Sequence, residues 1–278
     1  MKVFISVDME GISGVTQRAD TDPGQEGYER FRRIMTADVN AAVEGAFAGG
    51  AKEVVVNDSH YHMNNVIIED LDPRAQLISG FNKHLTMMEG LDDSFIGAFL
   101  VGYHAMSGTA DAVLAHTLLG REVDNTRLNG QAIGELGISA ALAGCFNVPV
   151  VLATGDDKLC AEAVNQLGEV ETAAVKEGID RYTAKCLQPK EAQRRIKAAA
   201  EGAIKRIKDF KPYCPAGPFT FEVQWHSTSE AKMASLIPTV ELVDSRTTTV
   251  ANDDLLSAFK AFAAMLMLGW TASDPLMG

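Results

Sequence analysis

The sequence predicts an α/β protein with a mostly parallel central sheet flanked by helices and a smaller α+β portion at the carboxyl end. Two observations support this fold class. Up to Leu167, short apolar runs typical of buried strands alternate with stretches of helical period. Beyond that residue the alternation gives way to a long basic helix, isolated strands and an apolar helix. We therefore expect residues 1–150 to form one α/β domain and residues 151–278 a carboxyl-terminal α/β portion, with one continuous domain as the alternative.

Each element of the first half follows from a local pattern. Runs of β-branched residues that break into polar residues predict strands. The stretch Tyr28–Phe47 is predicted to be a helix because Phe31, Met35 and Val39 repeat at helical spacing and Gly49 follows them. The predicted strands are Lys2–Asp8, Lys52–Asp58, Ala75–Ser79, Phe95–Val101 and Val148–Thr154. The other predicted helices are Met63–Asp70, Glu135–Phe146 and Asp157–Leu167.

The remaining segments carry weaker or later signals. Residues 10–27 are rich in Gly, Asp, Ser and Thr and predict a long loop. Residues 115–133 predict paired short strands with turns at 124–125 and 129–130. Residues 190–210 predict a basic amphipathic helix whose charged face is solvated. The last predicted elements are strands at Phe219–Trp225 and Thr239–Val243 and a strongly apolar helix at Asp253–Leu268.

Composition excludes several classes of function. A formal net charge of -12 disfavours nucleic-acid binding, which needs a basic field, and is compatible with acidic clusters that bind cations. No apolar window approaches the roughly 20 residues of a membrane span, and the apolar stretch at the start is too short for a signal peptide, so we expect a cytoplasmic protein. The four cysteines lack metal-binding spacing and are expected to be reduced thiols.

Acidic and imidazole side chains gather where predicted strands end. Asp8 and Glu10 close the first strand on the same face, and two like charges that close repel unless a cation lies between them. His60 and His104 follow two other predicted strands, and Glu135 opens a helix. The carboxyl ends of parallel strands share one rim of a sheet, where open α/β sheets place their ligands. The pattern therefore predicts a metal site at this rim.

The histidines differ in their contexts. His60 lies closer to its strand end than His62, so His60 is the predicted ligand of that pair. The neighbouring Asp58 either orients an imidazole from behind or makes a hydrogen bond within the loop. Carboxylates and imidazoles without thiolates suit zinc first, and manganese or cobalt next. The five candidate ligands exceed what one catalytic zinc uses, so two metal ions sharing a carboxylate fit better.

At this point the motifs resemble those of the bacterial D-aminopeptidase family, also called dipeptide-transport-associated aminopeptidases. The resemblance covers essentially the whole chain in order, closely as far as Lys176 and more faintly beyond it. The segments that carry it are Ser6–Gly14, Val56–His60, Met63–Asn65, Met88–Asp93, Gly102–His104, Gly134–Gly137, Gly155–Asp157 and, faintly, Arg246–Val250.

The resemblance implies a cytoplasmic zinc peptidase with two Zn²⁺ per subunit that removes amino-terminal D-residues from short peptides. Carried over by motif, Asp8 would bridge both zinc ions, Glu10 and His104 would complete one site, and His60 and Glu135 the other. The family further implies a homodecamer of two stacked pentameric rings. The apolar final helix could offer surface for such an assembly, or could equally be core.

The resemblance also implies that His116 is the catalytic histidine. We interpret it as a general base or electrostatic helper rather than a nucleophile, because water activated by the metal already provides an attacking oxygen. The alternatives are a dinuclear phosphatase, an aminopeptidase for L-peptides, and a peptide-binding component of a transporter. The last would need export, and the sequence shows no signal peptide.

Overall fold

The computed structural model describes residues 1–273. Within this range the strands are β1 (Lys2–Val7), β2 (Glu53–Asp58), β3 (Ala75–Ile78), β4 (Gly97–Val101), β5 (Val123–Leu128), β6 (Gln131–Ala132), β7 (Val150–Asp156), β8 (Glu171–Asp180), β9 (Thr183–Cys186), β10 (Phe219–Trp225), β11 (Val240–Leu242) and β12 (Thr247–Asn252). The helices are α1 (Tyr28–Gly49), α2 (Glu135–Cys145), α3 (Asp157–Leu167), α4 (Pro189–Lys205), α5 (Thr228–Ala234) and α6 (Leu255–Trp270). No helix among the described residues is both long enough and apolar enough to cross a membrane.

The chain divides into two compact units, each assembled from separate stretches. Of the described residues, the first comprises 1–105, 109–114 and 139–213, and the second comprises 106–108, 115–138 and 214–273. Residue 150, where a boundary was predicted, lies inside the first unit because β7 pairs with β4 and β8 in its sheet.

The first unit is built on a seven-stranded sheet with the order β3-β2-β1-β4-β7-β8-β9. All neighbouring pairs are parallel except β8 and β9, which are antiparallel. The strand order reverses direction between β1 and β4, which is the point where open α/β sheets form a crevice for ligands. In that crevice Val7 is in register with Asp58 on one side and Val101 on the other.

Helices α1 and α4 cover one face of this sheet. Met35, Val39 and Val43 of α1 repeat at helical spacing and are fully buried, which explains why this segment is helical and where it packs. Gly45 and Gly49 let α4 approach closely, since a Cβ at either position would overlap atoms of that helix.

The second unit contains a five-stranded antiparallel sheet with the order β11-β12-β10-β5-β6. Phe262 of α6 stacks on Phe221 of β10 with ring centroids 4.4 Å apart, and Phe259 is buried beside them. The apolar final helix is therefore part of a core, while its Met267 and Trp270 are exposed.

The predicted fold class is confirmed, with corrections to individual elements. The turn predicted at residues 124–125 is wrong because both lie inside β5, whereas the turn at 129–130 does join β5 to β6. The helix predicted at Met63–Asp70 is reduced to a single turn at its end, because the backbone amides of Asn65 and Val66 donate to the Asp58 carboxylate and hold the segment before it as a loop. Strands β8, β9 and β12 and helix α5 were not predicted.

Candidate metal centre

The end of β1 lies between the ends of β2 and β4, and this places three polar segments side by side. The Asp8 amide donates to Val101 O of β4 at 2.9 Å, and the Ser59 amide donates to Val7 O at 2.8 Å. The parallel ladders thus extend one residue past β1. The side chains of Asp8, His60 and His104 are brought together at this rim, as predicted from the strand ends.

Two glycines allow the loop after β1 to cross the end of β4. The Gly11 amide donates to Gly102 O at 2.8 Å, and a Cβ on Gly11 would overlap the carbonyl oxygen of Tyr103. Gly102 itself has a φ of 70°, a left-handed conformation that side chains disfavour. The close backbone crossing keeps Glu10, which precedes Gly11, beside Asp8.

Asp8 lies between the two histidines, and each of its oxygens faces a different ring. Asp8 Oδ1 is 3.3 Å from His60 Nδ1, and Asp8 Oδ2 is 3.4 Å from His104 Nε2. Glu10 Oε2 is 3.1 Å from the same His60 nitrogen. All four side chains are buried. A buried carboxylate that faces two imidazoles with different oxygens is arranged as a bridging ligand would be.

The second nitrogen of each ring fixes which atom faces the carboxylates. His60 Nε2 is 3.1 Å from Thr21 O, and His104 Nδ1 is 3.0 Å from Ala105 O. A carbonyl only accepts hydrogen bonds, so each of these nitrogens carries the proton. In a neutral imidazole the other nitrogen is then an acceptor, and it faces carboxylate oxygens that are also acceptors. Only a cation or an extra proton between them makes this arrangement favourable.

The charges at the site act strongly on His60. Burial by itself would lower the pKa of this histidine, but the charge of Glu10 and hydrogen bonding to Asp8 and Glu10 raise it well above its usual value. Without metal, a proton on Nδ1 therefore separates the opposed acceptors. A divalent cation would take the same place and displace that proton.

The donor set fits zinc. Ligand atoms of Asp8, Glu10 and His104 lie within 4.8 Å of one another, a separation that one ion can span. Carboxylate and imidazole donors without thiolate match catalytic zinc sites, and metal-bound histidines typically donate their second N–H to a carbonyl or carboxylate. His60 and His104 both do so, toward Thr21 and Ala105. The site residues of the first unit thus have the chemistry that a metal centre requires.

The second unit holds the other two predicted site residues, His116 and Glu135, and brings them together. His116 Nε2 is 3.7 Å from Glu135 Oε1, and the same carboxylate oxygen accepts a hydrogen bond of 2.7 Å from the Leu118 amide. Glu135 is buried, whereas His116 is partly exposed. Gly120 lies directly against the imidazole, where a Cβ would come within 3.2 Å of three ring and Cβ atoms. The ring is thus restrained on one side and accessible on the other.

Comparison with known proteins identifies the family. The family model described as D-aminopeptidase matches residues 1–264. The chain belongs to the D-aminopeptidase family. A curated D-aminopeptidase from Bacillus subtilis (strain 168) is 40% identical over 275 residues, covering 98% of this chain and 99% of that protein. A solved structure, described as the zinc-dependent D-aminopeptidase DppA from Bacillus subtilis and as a self-compartmentalizing protease, matches with a TM-score of 0.95 and 38% identity over 99% of this chain and 100% of its own.

Membership in the D-aminopeptidase family confirms the predicted enzyme class, a metallo-aminopeptidase. Asp58 was predicted either to orient an imidazole or to bond within its loop, and it does the latter. Its carboxylate accepts from the Asn65 and Val66 amides, and Asn65 in turn donates to His60 O. Asp58 therefore shapes the loop that presents His60, without contacting the ring.

One partner within the candidate metal centre could not be found from sequence. The ring of His60 is oriented by the carbonyl oxygen of Thr21, which belongs to the long loop after β1. Every residue has a backbone carbonyl, so the residue type at position 21 gives no indication of this role. Only the close return of this loop to the strand end shows it.

Proposed function

We propose that this chain is a zinc-dependent aminopeptidase that removes an amino-terminal D-residue from short peptides. The observation that carries the proposal is the placement of Asp8, whose two oxygens face His60 and His104 separately at 3.3 and 3.4 Å. The related Bacillus subtilis enzyme is described as zinc-dependent and as a D-aminopeptidase, which supports both the metal and the substrate class.

The proposed site holds two zinc ions bridged by Asp8. His104 and Glu10 are assigned to one ion and His60 and Glu135 to the other. The Glu10 carboxylate lies within the cluster of Asp8 and His104, and its Oε2 is also 3.1 Å from His60 Nδ1. It is therefore close to proposed ligands of both ions. The assignment of Glu135 comes from its sequence motif and from its burial.

Zinc bound to these residues would acidify a water molecule for attack on the peptide carbonyl and would polarise that carbonyl. The protein residues have separate tasks. Thr21 O and Ala105 O hold the two imidazoles in the tautomers that can bind metal. His116 is assigned to proton transfer between the attacking water and the leaving amine, and its partly exposed ring is accessible for this. Glu135, 3.7 Å from His116 Nε2, stabilises the protonated imidazole that forms.

The decisive assay compares matched D- and L-aminoacyl dipeptides, together with an aryl phosphate, using enzyme of measured zinc content. We expect hydrolysis of the D-dipeptides only, in proportion to zinc. Preference for the L-series would overturn the proposed stereochemistry, and phosphate release would overturn the proposed reaction.

Metal analysis tests the dinuclear site directly. We expect two zinc ions per chain, loss of both in Asp8→Asn, and weakening of mainly one in Glu135→Gln. The control is Asp254→Asn, which removes an exposed helix-capping carboxylate remote in sequence from all proposed ligands and should leave zinc content unchanged. A content of one zinc or none, without gain on zinc titration, contradicts the dinuclear proposal.

We also propose that the enzyme is a cytoplasmic homodecamer of two pentameric rings. The related structure is described as self-compartmentalizing, which supports a closed assembly. Light scattering should give about ten times the chain mass of 29.8 kDa. A stable species of a single chain at micromolar concentration rules the assembly out, and cell fractionation tests the location.

A further inference from the structure

A fully buried lysine holds the loop that carries Glu10. Lys176 Nζ, on β8, donates to three backbone carbonyls of this loop, to Glu10 O at 2.6 Å, Val15 O at 2.7 Å and Ile12 O at 3.0 Å. An ammonium has three donors, so all of them are used. Burial lowers the pKa of Lys176 to about 8, and the group remains charged at neutral pH.

The contacts of this ammonium are unusual for a buried charge. Among the described residues, no carboxylate forms an ion pair with Lys176 Nζ; its direct contacts are backbone carbonyls, and the charges of Asp156, Glu10 and Asp38 act on it only from a distance. Desolvating a lysine without a paired carboxylate is costly, so a purely structural need would be met more cheaply by an apolar residue. The charge is located where it fixes the backbone of a ligand-bearing loop.

A second buried side chain, an acid that accepts hydrogen bonds, also holds this loop. Asp38 Oδ2 on α1 accepts from the Ser13 amide at 3.0 Å and from Ser13 Oγ at 2.7 Å. Within residues 10–15, Lys176 thus binds three backbone carbonyls, and Asp38 binds the backbone N–H and the hydroxyl of Ser13. Each anchor comes from a regular element of the first unit, one from a strand and the other from a helix.

We propose that Lys176 is a positioning residue for the metal centre, fixing residues 10–15 so that the carboxylate of Glu10 is held in place to bind zinc. The inference rests on the proposed zinc site and adds to it a residue that touches neither metal nor substrate. Partners of this kind typically affect metal affinity by about 10–100-fold when they are removed.

The direction of the effect separates positioning from simple electrostatics. A positive charge near the site repels Zn²⁺, so if Lys176 acted only through its charge, removing it would raise zinc affinity. If it acts by holding the loop, removing it lowers zinc affinity. The two accounts predict opposite signs.

The experiment measures zinc affinity by competition with a chromophoric chelator at buffered free zinc, on metal-stripped full-length protein. Lys176→Met keeps the length of the side chain and removes its donors. Ile204→Ala, in the contact between α4 and α1, is the matched control, because it weakens the core of the same unit without touching the loop. Glu10→Gln is the reference for direct loss of a ligand. Thermal unfolding of each variant is recorded beside the titration.

We expect Lys176→Met to lose about 10–100-fold in zinc affinity, and Ile204→Ala to unfold at lower temperature with affinity within twofold of the parent. Unchanged or increased affinity in Lys176→Met, with Glu10→Gln weakened, overturns the inference alone. Unchanged affinity in Glu10→Gln means instead that the proposed metal site is wrong. If Lys176→Met does not fold, Ser13→Ala decides: it removes the hydroxyl bond to Asp38 and should lower zinc affinity in the same direction, and unchanged affinity there overturns the inference.

Discussion

Replacing Asp38 by Asn should change how the stability of the protein depends on pH. Asp38 is fully buried in α1, and this burial raises its pKa from 3.8 to about 6, although hydrogen bonds from Ser13 and Gln193 act in the opposite direction. At about 1.4 kcal/mol per pKa unit, the difference corresponds to about 3 kcal/mol. Because the group is fully buried, solvent screening does not reduce this figure appreciably.

The sign follows from proton binding. Between pH 3.8 and about 6 the folded protein keeps a proton on Asp38 that the unfolded chain has lost. Stability falls with rising pH wherever the folded state binds more protons, so through this group the parent loses about 2 kcal/mol across this interval and about 3 kcal/mol over the full titration. Asn cannot ionise, and it can still accept both bonds from Ser13 while Gln193 turns its amide to accept from Asn Nδ2.

The assay is urea unfolding of parent and Asp38→Asn between pH 4 and 8, both metal-stripped and at equal concentration. The free energy of unfolding of the variant relative to the parent should rise by about 2.4 kcal/mol from pH 4 to pH 7. Asp254→Asn is the flat control, because hydrogen bonding to Ser257 lowers the pKa of Asp254 from 3.8, so its stabilisation is lost mainly below the pH range of the assay. A difference between parent and Asp38→Asn that is flat, or that shrinks as pH rises, refutes the reasoning.

Three further outcomes can be checked on the same protein. His116→Ala should retain zinc and thermal stability yet lose about 10²–10⁴-fold in kcat on a D-alanyl peptide; loss of zinc would make His116 a ligand, and near-full activity would end its proton-transfer role. Zinc affinity should fall about tenfold per pH unit on acidification below the raised pKa of His60, since zinc displaces one proton from that ring; a pH-independent affinity in chelator titrations contradicts this. Gly11→Ala should cost at least about 1–3 kcal/mol in urea unfolding and weaken zinc binding, because the new Cβ overlaps Tyr103 O; parent-like values would show that the loop crossing is not tight.

The part of the site that sequence could predict is the part that lies at strand ends. Asp8, His60 and His104 each follow an apolar run, and apolar runs of this kind form parallel strands whose ends share a rim. The order of the strands was not available from the pattern. It follows from pairing between distant segments, and it is this order that places Asp8 between the two histidines.

One strand that was not predicted from the sequence, β8, carries a buried charged residue. Strand β8 runs from Glu171 to Asp180, and its center contains Lys176, which breaks the apolar run by which a buried strand is predicted. In α1, Asp38 interrupts the buried stripe in the same way and is itself fully buried. Both exceptions contact the loop that carries Glu10.

This coincidence has a physical reason. The loop that carries Glu10 lies past the end of β1 and is not fixed by a sheet ladder, so its carbonyls and amides need partners from elsewhere. Besides the backbone bond from Gly11 to Gly102, two of those partners are the polar side chains of Lys176 and Asp38, and such residues contradict the local apolar pattern of the elements that supply them. Lys176, at which the strand pattern fails, and Asp38, which interrupts a buried stripe, both contact the loop that carries Glu10, as the proposed positioning role of Lys176 requires. If the affinity of Lys176→Met for zinc equals that of the parent, the lysine that interrupts the apolar pattern of β8 does not serve the metal site.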